Sequence, residues 1–183
     1  NIRLVRPRLQ GSFRNGALSF GALDPLIFTK SEDPFALPDL NVTVEDGGAL
    51  MVTDFGRFGA SLSGQGNLAD GFKGELGVAS RGVAAGGCAF TGASLYGQIA
   101  ISGQRPSFLG PLRLAGAKCA EDSAGLADLV ANVKLRGSAD LADWEGESAV
   151  ALSRAFGGGA QSGKANGDVR FTWRDQALTA RYD

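Results

Sequence analysis

Ser162 with Lys164, and Ser31 with Lys30, are the pairs whose types and spacing would let an amine activate a hydroxyl nucleophile. Both lie in glycine-rich or polar stretches and read as solvated loop residues. The chain has no histidine. That removes Ser-His-Asp and Cys-His catalysis, along with the commonest metal ligand. Carboxylates recur in pairs at Glu45 and Asp46, Asp140 and Asp143, and Glu145 and Glu147. Glycosidase chemistry needs two carboxylates facing each other across a cleft, whereas these pairs flank expected turns, where acidic residues serve solubility. Gly64-Gln65-Gly66 and Gly157-Gly158-Gly159 lack the following helix and the Gly-Lys-Ser/Thr ending of a phosphate loop. No residue is assigned to catalysis, a metal or a cofactor, and the chain is expected not to be an enzyme.

Cys88 and Cys119 are the two cysteines. They have no CxxC spacing that would suggest zinc. Two readings stay open: one disulfide formed in an oxidising compartment, or two inert buried thiols. The densest cationic stretch is Arg3, Arg6, Arg8 and Arg14. It reads as a solvated strand face or edge, with Pro7 and the arginines blocking edge pairing. Net charge is −1, so nothing favours electrostatic capture of nucleic acid.

The elements that carry these residues are strands. Of 183 residues, 44% are hydrophobic and 28 are glycine, about twice the usual glycine share of ~7%. Apolar residues alternate with polar ones at Leu40, Val42 and Val44; Phe58, Ala60 and Leu62; Leu95, Ile99 and Ile101; Val169, Phe171 and Trp173; and Leu178, Ala180 and Tyr182. Short period-two runs bounded by Gly, Asn, Asp or Ser are half-buried strands. Turns are expected at Asn15-Gly16, at Glu45-Asp46-Gly47-Gly48, at Asp70-Gly71 and between Trp173 and Ala177. Consecutive hairpins make an antiparallel meander. One segment is ambiguous. Leu126, Leu129, Val130 and Val133 have the spacing of one helical face, so Ala124–Val133 reads either as a short helix or as a loop and a strand.

An internal echo links two regions. Leu62-Ser63-Gly64 through Asp70, followed by Phe72, returns 73 residues later as Leu135-Arg136-Gly137 through Asp143, followed by Trp144. A looser copy begins at Leu9-Gln10-Gly11. Each copy is a strand containing a glycine, a polar turn, and an apolar restart. The apolar faces are sparse and rich in Ala, Gly and Val. Such faces suit an open trough that holds acyl chains better than a sandwich filled with bulky side chains.

Four segments resemble the AsmA-like superfamily of Gram-negative envelope proteins, and within it the YdbH/TamB type. They are Val5-Arg6-Pro7-Arg8-Leu9-Gln10-Gly11-Ser12-Phe13 with Gly16 to Gly21; Leu37-Pro38-Asp39-Leu40; Leu62 to Leu68; and Phe108 to Leu114. The resemblance implies a long β-sheet curled around an apolar groove, a periplasmic span, and an inner-membrane anchor outside this stretch. It implies passage of phospholipids between inner and outer membranes, with acyl chains as ligands and an outer-membrane protein as a further partner. The family offers no signature site, so no residue role is carried over.

The expected fold is therefore all-β: an extended antiparallel meander curled into an open groove, with at most one or two short helices. It is one β-rich segment over 1–183 of a longer repetitive protein, with room for a subdivision near 120–130. One alternation class is expected to line the groove: Val42, Val44, Leu62, Leu76, Val78, Ile99, Ile101, Leu112, Leu114, Val133, Leu135, Val150, Leu152, Val169 and Phe171. The competing expectation is a structural adhesin or surface-passenger segment with a filled core.

Overall fold

Alternation and turn chemistry produce fourteen strands in one sheet among the described residues. The computed structural model describes residues 1–15, 17–21, 24, 36–120, 123–174 and 177–182. The strands are β1 (Ile2–Val5), β2 (Arg8–Arg14), β3 (Ala17–Ser19), β4 (Asn41–Thr53), β5 (Gly56–Asn67), β6 (Lys73–Ala85) and β7 (Cys88–Ser102). They continue with β8 (Arg105–Cys119), β9 (Ala124–Gly137), β10 (Trp144–Leu152), β11 (Arg154–Gly157), β12 (Ala160–Ser162), β13 (Ala165–Arg174) and β14 (Ala177–Tyr182). Every named element among the described residues is a strand. The sheet is open, running β14-β13-β10-β9-β8-β7-β6-β5-β4-β2-β3. From β4 to β14 each strand pairs antiparallel with its neighbours.

The start of the chain departs from a simple meander. Strands β1 and β2 both run parallel to β4, with Ile2 opposite Val42 and Arg8 opposite Gly48. Together they form one long strand beside β4, broken at Arg6-Pro7, and β3 pairs with its β2 half. Arg6 has φ 51° and lies beside Asp46, which also has φ 51°. The Arg6 N–H donates to the Glu45 carbonyl at 2.7 Å, so the break is stitched rather than frayed.

Two sequence expectations are corrected here. Glu45-Asp46-Gly47-Gly48 is not a turn. It lies inside β4, where the register shifts between Val44 and Gly47. A left-handed Asp followed by Gly can end a strand or insert one extra residue into it, and here it makes a bulge. Ala124–Val133 is not helical, because β9 runs through it. Asp128 has φ 50° and shifts the alternation by one residue. Leu126, Leu129, Ala131 and Val133 thereby share one face, so a strand with a break in its alternation mimics helical spacing. The hairpins at Asn15 and after Trp173 close as antiparallel pairs, with Arg14 opposite Ala17 and Arg174 opposite Ala177. Gly16, Asp175 and Gln176, like Lys30 and Ser31, lie outside the described residues.

The sheet is a single layer. The chain exposes 12338 Å², whereas a compact globular chain of this length exposes about 8,000 Å². Among the described residues no large side chain falls below 2% exposure. Yet Val42, Ile101, Phe108, Ala131 and Val133 are only 2–8% exposed. With no second layer among the described residues, side chains of one face cover each other, which requires the sheet to curl toward that face.

Candidate functional site

Residues directly opposite in a sheet point to the same side, so the register assigns every side chain to a face. Ala49, Ala60, Val78, Leu95, Leu112, Ala131, Val150 and Gly167 are successive partners from β4 to β13. This row crosses eight strands without a polar side chain. At ~4.8 Å per strand it is about 34 Å long. The next row on that side carries Leu62, Leu76, Gly97, Val133, Ser148 and Val169, with Ser148 its one polar side chain, and the row after it joins Val44, Gly64, Gly74, Ile99, Phe108, Leu135, Gly146 and Phe171. All the residues expected in one alternation class, from Val42 to Phe171, lie on this side.

The opposite face is mostly polar, with Leu50, Tyr96 and Leu109 exposed on it. One of its rows reads Gln65, Lys73, Ala100, Ser107, Arg136, Glu145, Thr172 and Thr179. Lys134 donates to Glu147 at 2.9 Å. That hydrogen bond, then the Lys134 charge, holds the Glu147 carboxyl below its ordinary pKa, with Arg170 and Arg136 adding to it. The Tyr96 hydroxyl donates to Glu75 at 2.9 Å, which raises the phenol pKa. These groups keep their face charged and wet. Neither forms an acid–base pair in a cleft.

A recurring device smooths the apolar side: an aromatic ring lies over a glycine. A Cβ on Gly64 would lie 2.7 Å from Phe72 Cζ, one on Gly97 2.8 Å from Phe108 Cζ, and one on Gly146 2.5 Å from Phe171 Cζ. On Gly137 it would meet Trp144 Cη2 at 3.2 Å, and on Gly11 it would meet Phe20 Cδ1 at 2.9 Å. Each ring covers backbone that a side chain would otherwise cover. The repeated segments are this device. Gly11 with Phe20, Gly64 with Phe72, and Gly137 with Trp144 occupy corresponding places in the three copies. The product is a broad apolar floor of low relief.

A crease crosses the floor. Arg81, Gly92, Ala115 and Asp128 stand in line on β6 to β9, yet none is paired with the next; pairing resumes on either side, after one further missing pair, Ala93 with Leu114, between β7 and β8. Ser153 extends the line, separating β10 from β11. Its N–H and Oγ both reach the Ala127 carbonyl, and Oγ donates to Asp128 at 2.9 Å. Gly92 takes φ 62° here, a conformation glycine adopts without strain. Beyond the crease the alternation has shifted, and Val83, Phe90, Ala117, Leu126 and Ala155 carry the apolar side onward. The sequence reading missed these residues. A glycine and an aspartate inside strand runs were the available signal.

Cys88 and Cys119 face each other at the end of this region and are joined as a disulfide. They close a separation of 31 residues, for which loop-closure entropy predicts about 3.5 kcal/mol of stabilisation. Reduction is expected to lower unfolding stability by roughly that amount, read from urea titrations with and without reductant.

The geometry offers a long apolar surface and, among the described residues, no grouping of potential metal ligands. No curated protein and no solved structure matches the chain. The family model for the intermembrane phospholipid transport protein YdbH matches residues 1–183, the whole of the sequence. The chain belongs to the YdbH-like family of intermembrane phospholipid transport proteins.

Proposed function

We propose that this segment carries phospholipids by holding their acyl chains against the apolar side of the sheet, as part of a periplasmic conduit between the inner and outer membranes. The observation that supports this most is the unbroken apolar row from Ala49 to Gly167 in a single-layer sheet. A filled sandwich would bury that row under a second sheet. Burying a dozen methylenes is worth about 10 kcal/mol, enough to hold a lipid out of water. The floor offers many similar apolar contacts along its length, so a bound chain can slide without crossing a large barrier. The residues proposed to line the path are Val42, Val44, Leu62, Leu76, Val78, Ile99, Ile101, Leu112, Leu114, Val133, Leu135, Val150, Leu152, Val169 and Phe171. The Cys88–Cys119 disulfide fits an oxidising compartment. In this reading the inner-membrane anchor and an outer-membrane protein partner belong to the parent protein.

Mass spectrometry of the natively purified chain tests the proposal. Phospholipid is expected to accompany it after detergent-free purification. A folded chain that is free of lipid, and stays free when offered phospholipid vesicles, would refute the reading.

A further inference from the structure

We propose a second binding site, for a phosphate group, on the polar face of β9 to β14. This goes beyond the reading of the apolar side and does not depend on it. Arg170 lies directly opposite Arg181, and Thr172 directly opposite Thr179. The two pairs are two residues apart along each strand, so all four side chains leave the same face. Cross-strand partners stand ~5 Å apart, and residues two apart along a strand ~7 Å. The result is a small square of donors: two guanidiniums and two hydroxyls.

Like charges directly opposite each other destabilise a sheet. Arg170 has a carboxylate on its other side, Glu147, but that carboxylate accepts from Lys134 at 2.9 Å. The guanidiniums of Arg170 and Arg181 make no hydrogen bond or ion pair with another described residue, and the Arg170 charge reaches Glu147 only through space. The square opens on a depression of about 630 Å³ that Lys134, Arg136, Glu145 and Glu147 also line. Its ionisable residues are four cations and two carboxylates, a surplus of two positive charges. Guanidinium forks match the oxygens of a phosphate, and charge-assisted hydrogen bonds of this kind are the stronger ones. Hydroxyls at ~7 Å complete the coordination of a tetrahedral anion. The depression exceeds a bare phosphate, so it also accepts a phosphoester, either a free one or the head group of a lipid.

The test titrates the chain with inorganic phosphate by calorimetry, and separately floats it with vesicles of phosphatidylglycerol in phosphatidylcholine. The variants are the double substitution Arg170→Gln with Arg181→Gln, and Arg113→Gln as a same-face control on β8. Circular dichroism checks folding. Phosphate is expected to bind the parent chain and the control, with at least tenfold weaker binding in the double variant. If phosphatidylglycerol vesicles float the parent chain and inorganic phosphate displaces it, the source is a lipid head group. If phosphate binds and the vesicles do not, the source is a free phosphate compound. Should the double variant misfold, Thr172→Val with Thr179→Val carries the same expectation. Absence of phosphate binding, or equal affinity in the folded variants and the parent, overturns the proposal.

Discussion

Replacing Gly97 by valine is expected to unfold the sheet. Gly97 sits mid-strand on β7, on the apolar side, close against the backbone of β8. A Cβ there would run into the Leu109 carbonyl oxygen and lie 2.7 Å from Gly110 Cα and 2.8 Å from Phe108 Cζ. Two of those three atoms are backbone, so no rotamer change relieves the clash. Overpacking a core commonly costs ~1–3 kcal/mol. Here it would prise apart two central strands and displace the Phe108 ring, and the expected cost is at least ~4 kcal/mol. That is most of the ~5–15 kcal/mol that holds a typical domain. Gly59→Ala is the matched control, since the nearest atom to a Cβ there is 4.0 Å away. Urea denaturation should show the control within ~0.5 kcal/mol of the parent and no folded baseline for Gly97→Val.

Leu112→Glu is expected to abolish lipid retention, and Leu109→Glu to leave it intact. The two leucines are neighbours on β8 but leave opposite faces. Leu112 continues the apolar row between Leu95 and Ala131. Leu109 lies on the polar side and is 57% exposed. A carboxylate in the row would lie under a bound acyl chain, and burying an unpaired charge costs several kcal/mol. Each 1.4 kcal/mol is tenfold in affinity, so lipid per folded chain should fall by at least ~100-fold. Quantitative lipid extraction from equal amounts of folded protein checks this. Equal loss in both variants would mean that the leucines act on stability rather than on a lipid-facing side.

What the sequence disclosed follows from what is local in it. Alternation at Phe58, Ala60 and Leu62, or at Leu112 and Leu114, is a property of adjacent residues, so strands and their apolar side were legible. The echo of Gly64 with Phe72 in Gly137 with Trp144 was legible as a repeat. Its meaning was not, because a ring covering a glycine on the next strand is a tertiary contact. Asp46 and Asp128 misled for one reason. A left-handed residue can turn a chain back or bulge a strand, and only the partner strand decides which. At Asp128 the break in alternation, made without any shift of register, also counterfeited helical spacing. The parallel pairing of β1 and β2 with β4 left no local trace. The donor square was likewise hidden, since Arg170 and Arg181 meet only through the β13–β14 register.

The central claim is that one side of this sheet is the lipid-bearing side. Photocrosslinking along β8 tests it most directly, with a photoreactive amino acid placed singly at each position from Ser107 to Leu114 and phospholipid present. The account predicts a period of two: crosslinks from Phe108, Gly110, Leu112 and Leu114, and none above background from Ser107, Leu109, Pro111 and Arg113. Crosslinks without that alternation, or from the Ser107 to Arg113 set instead, would contradict it.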